Sequence, residues 1–356
     1  MKLLRPSTLG VLITSLAMSG LHAQNTATTD PVGFTTINVR AKSTAARALT
    51  MVVLPMERAD AFNGSCTDAS FSLDGSNRTV ITFASNLFTA NQFTGTGNQH
   101  YFRLSNGANA GEFSTIISNT ANSISLADNL NAVLATTSTF SVTPYWTLGT
   151  ALPNGGGLQG GTSATGATTD NLFIYNAAFV ATTYFYHTTN NRWQTGLSDA
   201  SNTIIPPGTG FAVERKQNSA VAIVLPGSVP LGSSSVDVNG STSGTATRNT
   251  LVGSAYPLAS RRLADIGLYT GNPATGVFAA TSAGTATTGA DTVGIFNPAT
   301  GVQTVYFYHS TNNRWQTGLS DASNVTIPEG AAILISRKSG RAPFTWYIPQ
   351  PSMALN

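Results

Sequence analysis

The chain has 356 residues and a formal net charge of +3, and only 9% of its residues are charged, against about 25% in typical globular proteins. Binding to nucleic acids requires clustered Lys and Arg to neutralise phosphates, and no such basic stripe occurs in the sequence. The one cysteine, Cys66, cannot form an internal disulfide, so we expect a partly buried thiol and a fold stabilised by buried apolar surface.

The first 23 residues have the features of a secretory signal peptide. Lys2 and Arg5 precede an apolar stretch at 9–21, and Ala23 stands at the expected cleavage position. The apolar stretch is shorter than the roughly 18 residues that a membrane-spanning helix needs. Cleavage after Ala23 removes two basic residues and no acidic one, so the formal net charge falls from +3 to +1. We therefore predict a secreted protein, in the periplasm, on the cell surface or outside the cell, without a transmembrane segment after cleavage.

Short β-strand patterns separated by turn residues follow at 78–143. Runs rich in Val, Ile, Thr, Phe and Tyr recur about every 8–12 residues, a spacing typical of all-β sandwiches and barrels. Between two of these runs, residues 105–112 contain two glycines around Asn109, which suits a hairpin loop with positive φ angles. We predict that the chain at about 60–145 forms a small β-meander.

A stretch of 19 residues occurs twice in the chain with a single difference. YFYHTTNNRWQTGLSDASN occupies 184–202, and the copy at 306–324 has Ser310 where the first has Thr188. Weaker similarity extends in both directions: DNLFIYN at 170–176 resembles DTVGIFN at 291–297, and both copies continue to an Arg-Lys pair. The repeat predicts two related β units.

The predicted fold class is all-β, with two related β-sandwich or barrel-like units and a small β-meander inserted into the first. We assign the first unit to residues 24–226, with the insertion at about 60–145. The Gly- and Ser-rich stretch at 227–247 is typical of a flexible or extended linker. The second unit then takes residues 248–356.

The repeated stretch is predicted to begin as a β-hairpin, because its aromatic and β-branched strand at 182–187 is followed by a turn at 188–191. Alternation places Tyr184 and Tyr186 on one face and Phe185 and His187 on the other, with Trp193 as a cross-strand partner. Packing constrains pattern and volume more than the identity of polar residues. The identity of 18 letters in 19 therefore indicates a recent duplication or gene conversion, or two surfaces that bind the same kind of partner.

Recognisable motifs for catalysis, metals and cofactors are missing from the sequence. The predicted mature chain has three histidines without metal-ligand spacing, and SDASN at 198–202 lacks the acidic pattern of a calcium loop. His187, Ser198 and Asp199 contain the residue types of a hydrolase triad, but the last two are adjacent and no G-x-S-x-G elbow occurs. No P-loop or dinucleotide fingerprint occurs either. We therefore predict no enzymatic activity, no metal and no cofactor.

Aromatic and amide side chains of the two hairpins are the candidate ligand-binding residues. They are Tyr186, Asn191, Trp193, Tyr308, Asn313 and Trp315. Aromatic rings beside polar groups are typical of carbohydrate-binding and protein-binding surfaces, whereas aromatic residues in strands usually belong to a core. Both interpretations stay open at this point. The partner is unknown: a cell-surface glycan, other envelope proteins and self-assembly each fit.

Further sequence features accompany the leader and the repeat. They are DPVGF at 30–34, NGANAGEFSTIISNTANSISL at 106–126, PYWTLGTALP at 144–153 and the doubled YFY…W…IP.G unit that ends in Arg-Lys. Together they make the chain resemble an uncharacterised family of secreted β-rich proteins that is numerous in Verrucomicrobia. The resemblance implies export and a two-unit layout, and it supplies no catalytic residues.

We therefore expect an exported, non-enzymatic structural or adhesive protein of the envelope or the extracellular space. A carbohydrate-binding module that uses the hairpin aromatics is the alternative.

Overall fold

The computed structural model describes residues 32–42, 48–229, 232–242, 247–253, 261–271, 277–283 and 289–349. The predicted signal peptide lies outside these residues. Within them the chain forms strands joined by turns, with one four-residue α-helix, α1 (Leu148–Ala151). The predicted all-β fold class is confirmed.

The strands fall into four consecutive groups. Two precede the insertion: β1 (Val32–Val39) and β2 (Ala48–Val53). Seven form the insertion: β3 (Phe62–Ser65), β4 (Ala69–Leu73), β5 (Thr79–Phe83), β6 (His100–Leu104), β7 (Phe113–Asn119), β8 (Ser123–Leu126) and β9 (Thr139–Pro144). Eight complete the first unit: β10 (Trp146–Thr147), β11 (Asn171–Tyr175), β12 (Ala181–His187), β13 (Arg192–Thr195), β14 (Ser198–Asp199), β15 (Ile204–Ile205), β16 (Gly210–Arg215) and β17 (Val221–Ser228). Ten form the second unit: β18 (Ser234–Val238), β19 (Arg248–Val252), β20 (Arg261–Arg262), β21 (Thr292–Phe296), β22 (Gln303–His309), β23 (Arg314–Thr317), β24 (Ser320–Asp321), β25 (Thr326–Ile327), β26 (Ile333–Arg337) and β27 (Phe344–Ile348).

The two units have the same topology. The six-stranded sheet of the first unit has the order β14-β13-β12-β11-β16-β2, and that of the second has the order β24-β23-β22-β21-β26-β19. In each unit a two-stranded antiparallel ribbon accompanies the sheet: β1 pairs with β17, and β18 pairs with β27. A short pair is also duplicated, as β10 with β15 and β20 with β25. The repeat of the sequence is thus a repeat of the fold.

The core of each unit lies between its ribbon and its sheet. In the first unit Ile37 and Ile223 of the ribbon share a cluster with Leu172 and Val213 of the sheet. The second unit has the equivalent cluster, in which ribbon residues such as Trp346 pack with sheet residues such as Val293. Alternate residues of these strands face the cluster because side chains alternate between the two faces of a strand.

The insertion is a seven-stranded antiparallel sheet with the order β3-β9-β6-β7-β8-β5-β4. The predicted hairpin loop lies between β6 and β7, and Gly107 and Gly111 have φ angles of 85° and 97° there. Cys66 is fully buried in the hydrophobic cluster of this sheet, and burial raises the pKa of its thiol to about 11.

The predicted linker at 227–247 contains a strand and is therefore only partly a connection. β17 extends to Ser228, and β18 pairs along its whole length with β27. Val236 and Val238 of β18 are buried in the core of the second unit. The Ser-rich composition concealed this strand, because the tertiary partner β27 lies more than 100 residues away in the sequence. The second unit thus begins before residue 248.

The two units pack against each other with an approximate two-fold relation inside one chain. Val52 forms an antiparallel bridge with Ala331, and Val252, which is the equivalent of Val52, forms one with Thr209, the equivalent of Ala331. Such exchange of equivalent contacts is the mark of an isologous interface. Val53, Leu251 and Ala332 form the buried cluster between the units.

Candidate functional site

The repeated sequence forms the predicted hairpin in both units with the same register. Tyr186 lies opposite Trp193, and Tyr308 lies opposite Trp315. The rings of each pair meet edge to face, with centroids 6.0 Å apart in the first hairpin and 5.6 Å apart in the second. Asn191 has the left-handed φ angle that the turn requires, at 49°.

The two tryptophans belong to the cores, which is one of the two interpretations that the sequence left open, and they are therefore removed from the candidate surface residues. Trp193 is 1% exposed and Trp315 is 3% exposed. The indole Nε1 of Trp193 donates a hydrogen bond of 2.9 Å to the carbonyl oxygen of Leu152. Both rings lie on the strand face that the ribbon of their unit covers, which the alternation of the hairpin alone could not decide.

Polar side chains of the first hairpin form a network within the hairpin itself. The backbone N–H of Asn190 donates to Nδ1 of His187 at 3.1 Å. Gln194, in the amide orientation that satisfies its neighbours, accepts hydrogen bonds from Arg192 at 3.1 Å and from the Asn190 amide at 3.0 Å. The Arg192 guanidinium also lies 3.6 Å from the carboxylate of Asp199. These polar side chains therefore stabilise the hairpin through contacts within it.

The second hairpin repeats this network contact for contact. Its partners are Asn312 with His309, Gln316 with Arg314 and Asn312, and Arg314 with Asp321. The polar residues that are identical in the two copies thus have a structural role in each hairpin. A shared ligand is not needed to account for their identity. Leu197 and Leu319 are large apolar residues of the repeat that are 93% and 79% exposed.

Tyr186 and Tyr308 are both half-buried, but their surroundings differ. Tyr308 is half-buried, stacks on Tyr269 with ring centroids 3.9 Å apart, and donates a hydrogen bond of 2.7 Å to Oδ1 of Asn313. Together with Trp315, these residues line a pocket of about 150 Å³. In the first hairpin Gly155 lies close against the equivalent tyrosine, where an added Cβ would stand 3.1 Å from the ring. The six predicted residues therefore do not form two equal sites.

A cavity, here called the junction groove, lies where the insertion and the two units meet. Its volume is about 330 Å³. Its walls carry four aromatic rings, three amide side chains and one carboxylate. They are Phe113 and Tyr145 near the insertion, Tyr175, Asn176 and Phe179 from the first unit, and Asp237, Asn239 and Asn249 from the second.

Tyr175 and Phe179 form a stacked pair on one wall of the junction groove. Their ring centroids are 4.4 Å apart and their planes differ by 12°. Both side chains are partly exposed, and burial of the phenol raises the pKa of Tyr175. Phe179 has a φ angle of 59°, which is rare for a bulky residue. The turn is closed by Asn176, whose Oδ1 accepts hydrogen bonds from the backbone of the residues that follow.

The approximate two-fold relation generates a counterpart, here called the second groove, with a volume of about 230 Å³. There Phe296 takes the place of Tyr175 and Gly301 takes the place of Phe179. Arg40 crosses this position and donates a hydrogen bond of 2.9 Å to the carbonyl oxygen of Thr300. The second groove therefore has a cation where the junction groove has a second stacked ring.

Buried charges of the fold are paired away from these cavities. Asp170 forms a buried ion pair with Arg215, and in the second unit the Asp291 carboxylate lies 3.4 Å from Arg337. Each aspartate also accepts backbone hydrogen bonds from two chain segments. Burial raises the pKa of Asp291 despite these partners. The pairs hold a loop to the sheet in each unit, which is a structural role.

Across the described ranges, no group of three or more His, Cys, Asp or Glu side chains is placed to hold a metal ion. In the same part of the chain, no helix is both long enough and apolar enough to span a membrane. No family model, no curated protein and no solved structure matches the chain.

Sequence reasoning missed the stacked pair of the junction groove. One signal was present: alignment of the two repeats places Phe179 opposite Gly301 in a turn that begins with Asn in both copies. Glycine in one copy indicates that this position has a positive φ angle. A phenylalanine that adopts the same angle in the other copy indicates a role for its side chain beyond closing the turn.

Proposed function

We propose that the protein is exported and acts without catalysis as a structural or adhesive protein of the envelope or the extracellular space. The leader-like N-terminus and the low content of charged residues support export and an uncharged polar surface. The single observation that carries the binding role is the junction groove, whose aromatic and amide lining suits recognition. The interface between the units supports a rigid body, because equivalent contacts are made twice.

Fractionation of cells that express the full chain tests the location. We expect the protein in the periplasmic, surface or extracellular fraction, with the N-terminus beginning after Ala23, and a chain that lacks residues 2–23 retained inside the cell. Electron microscopy of the exported protein separates the two roles, because filaments or a coat favour a structural protein and dispersed particles favour an adhesive one. Retention of the full chain in the cytoplasm would contradict the proposal.

Carbohydrate binding through the hairpin aromatics is a second candidate, and the pocket beside Tyr308 and Tyr269 favours it. Tyrosine offers an apolar ring together with a hydroxyl group, which suits sugar recognition. Tyr308→Ala should abolish such binding, whereas Tyr186→Ala, the matched change in the first hairpin, where no second tyrosine ring stacks on Tyr186 among the described residues, should leave it unchanged. Equal effects of the two variants would point to a general loss of stability.

A further inference from the structure

We infer that the junction groove binds a neutral carbohydrate, with the stacked rings of Tyr175 and Phe179 as its platform. This inference rests on the proposed adhesive function and assigns it a site and a ligand class. The site differs from the hairpin residues predicted from the sequence, because none of those residues lines the groove.

The size and the lining of the junction groove fit a small polar ligand with apolar faces. Its volume of about 330 Å³ falls in the range of small-molecule sites, about 300–1,000 Å³, which combine apolar walls with a few polar groups. A protein partner needs a surface of about 800 Å² on each side, which is far larger than the mouth of such a cavity. A sugar ring has C–H faces that can lie against aromatic rings and hydroxyl groups at its edge.

Amide side chains in the groove can serve those hydroxyl groups. An amide offers both donors and acceptors, so it can pair with a hydroxyl in either direction. Among the described residues, none hydrogen-bonds to the amide side chains of Asn239 and Asn249, which line the groove together with the platform. Asp237 adds an acceptor and already receives a hydrogen bond of 2.9 Å from Thr345.

The charge of the lining selects a neutral ligand. Asp237 is its one carboxylate, and the described residues that line the groove include neither Lys nor Arg. An anionic sugar would therefore meet a like charge without a cation to balance it, which is unfavourable in a partly desolvated site. The second groove differs because a cationic side chain, Arg40, lies beside it.

Backbone strain at Phe179 is the independent sign that the platform has a use. A left-handed conformation is unfavourable for a bulky residue, and residues with such strain cluster at functional sites. In the corresponding turn of the second unit, which is one residue longer, the left-handed position is taken by Gly301, with a φ angle of 69°. The strained residue places its ring nearly parallel to that of Tyr175 in the lining of the groove.

The test uses the full chain, purified after export, in titration calorimetry against N-acetylchitotetraose, cellotetraose, mannotetraose, xylotetraose and, as an anionic probe, tetragalacturonate. We expect at least one neutral tetramer to bind. Tyr175→Ala and Phe179→Gly should each weaken that binding about tenfold or more. Phe296→Ala in the second groove and Tyr308→Ala should leave it unchanged. Circular dichroism of each variant verifies that it is folded, and glycine at 179 suits the turn.

Three results would overturn the inference. Binding that is lost in Tyr308→Ala but kept in Tyr175→Ala and Phe179→Gly would move the site to the hairpin, and carbohydrate binding would stand. Binding of tetragalacturonate alone would contradict the neutral class. Binding of no tetramer would remove the carbohydrate site, while the location measured by fractionation decides the proposed function separately.

Discussion

Phe179 and Gly301 each stand two residues before the returning strand of corresponding turns, with left-handed φ angles of 59° and 69°, although the turn of the second unit is one residue longer. Only the glycine is free of the steric cost of this conformation. In the first unit the ring of Phe179 stacks on Tyr175. In the second unit the guanidinium of Arg40 occupies the corresponding space beside Gly301. Two copies of one fold have thereby acquired different surfaces at the junction between them.

Replacement of Phe179 by glycine and by alanine isolates this strain. Both variants lose the ring, but only alanine keeps the unfavourable contact between its Cβ and the backbone. We expect Phe179→Gly to exceed Phe179→Ala in free energy of unfolding by about 1 kcal/mol, as measured by urea denaturation. At the neighbouring Ala178, whose φ angle is not positive, glycine should instead lower the stability. An alanine variant at 179 as stable as the glycine variant would rule out the strain.

Truncation of Trp193 should severely destabilise the first unit. The side chain is fully buried in the core and its Nε1 has a hydrogen-bond partner in Leu152. We expect Trp193→Ala to cost about 3–5 kcal/mol of unfolding free energy, and Trp193→Phe to cost less because most of the apolar volume stays. Chemical denaturation measures both. A loss well under about 1 kcal/mol for the alanine variant would place the indole at the surface.

The two units should unfold together because they share a buried cluster. A Cβ added to Gly210 would stand 2.7 Å from Leu251 and 2.8 Å from Ala332, across the interface. Gly210→Ala should therefore lower the free energy of unfolding by about 1–3 kcal/mol and broaden or split the single transition expected in calorimetry. Gly75→Ala is the matched control, since no atom lies within 4 Å of its added Cβ. Equal midpoints for the two variants would argue against a packed interface.

The stability of the folded protein should depend weakly on pH through Asp199 and Asp321. Hydrogen bonds from the serine two residues later, with a further contribution from the neighbouring arginine, hold the pKa of each carboxyl below its ordinary value of 3.8. A carboxyl with a lowered folded pKa stabilises the folded state above the unfolded pKa, and that contribution is lost as the pH falls through the folded pKa.

Thermal melting of Asp199→Asn and Asp321→Asn at a series of pH values measures this contribution. Each variant should melt slightly below the wild type at neutral pH, and the difference should vanish in strong acid. The effect is small because both carboxylates are exposed to solvent. The two variants should behave alike because the two hairpins have the same contacts. A difference that persists unchanged at low pH would show that another interaction is responsible.

Local features of the chain were predictable because short-range chemistry decides them. The hairpin at 184–202, its left-handed turn residue Asn191 and the glycine loop between β6 and β7 follow from aromatic, Asn and Gly residues at short spacing. The strand β18 did not follow, since its Ser-rich residues become a strand only by pairing with β27. The face of each hairpin that is buried depends in the same way on the distant ribbon.

The all-β class, the duplication and the two hairpins were predictable from the amino-acid order, because strand alternation, turn chemistry and repeated segments are local properties. The burial of Trp193 and Trp315, the equivalent contacts between the units and the position of Tyr175 and Phe179 in a groove became visible in the folded chain. These outcomes depend on contacts between residues that lie up to hundreds of positions apart. Packing of whole elements, and not the preference of any one residue, selects them.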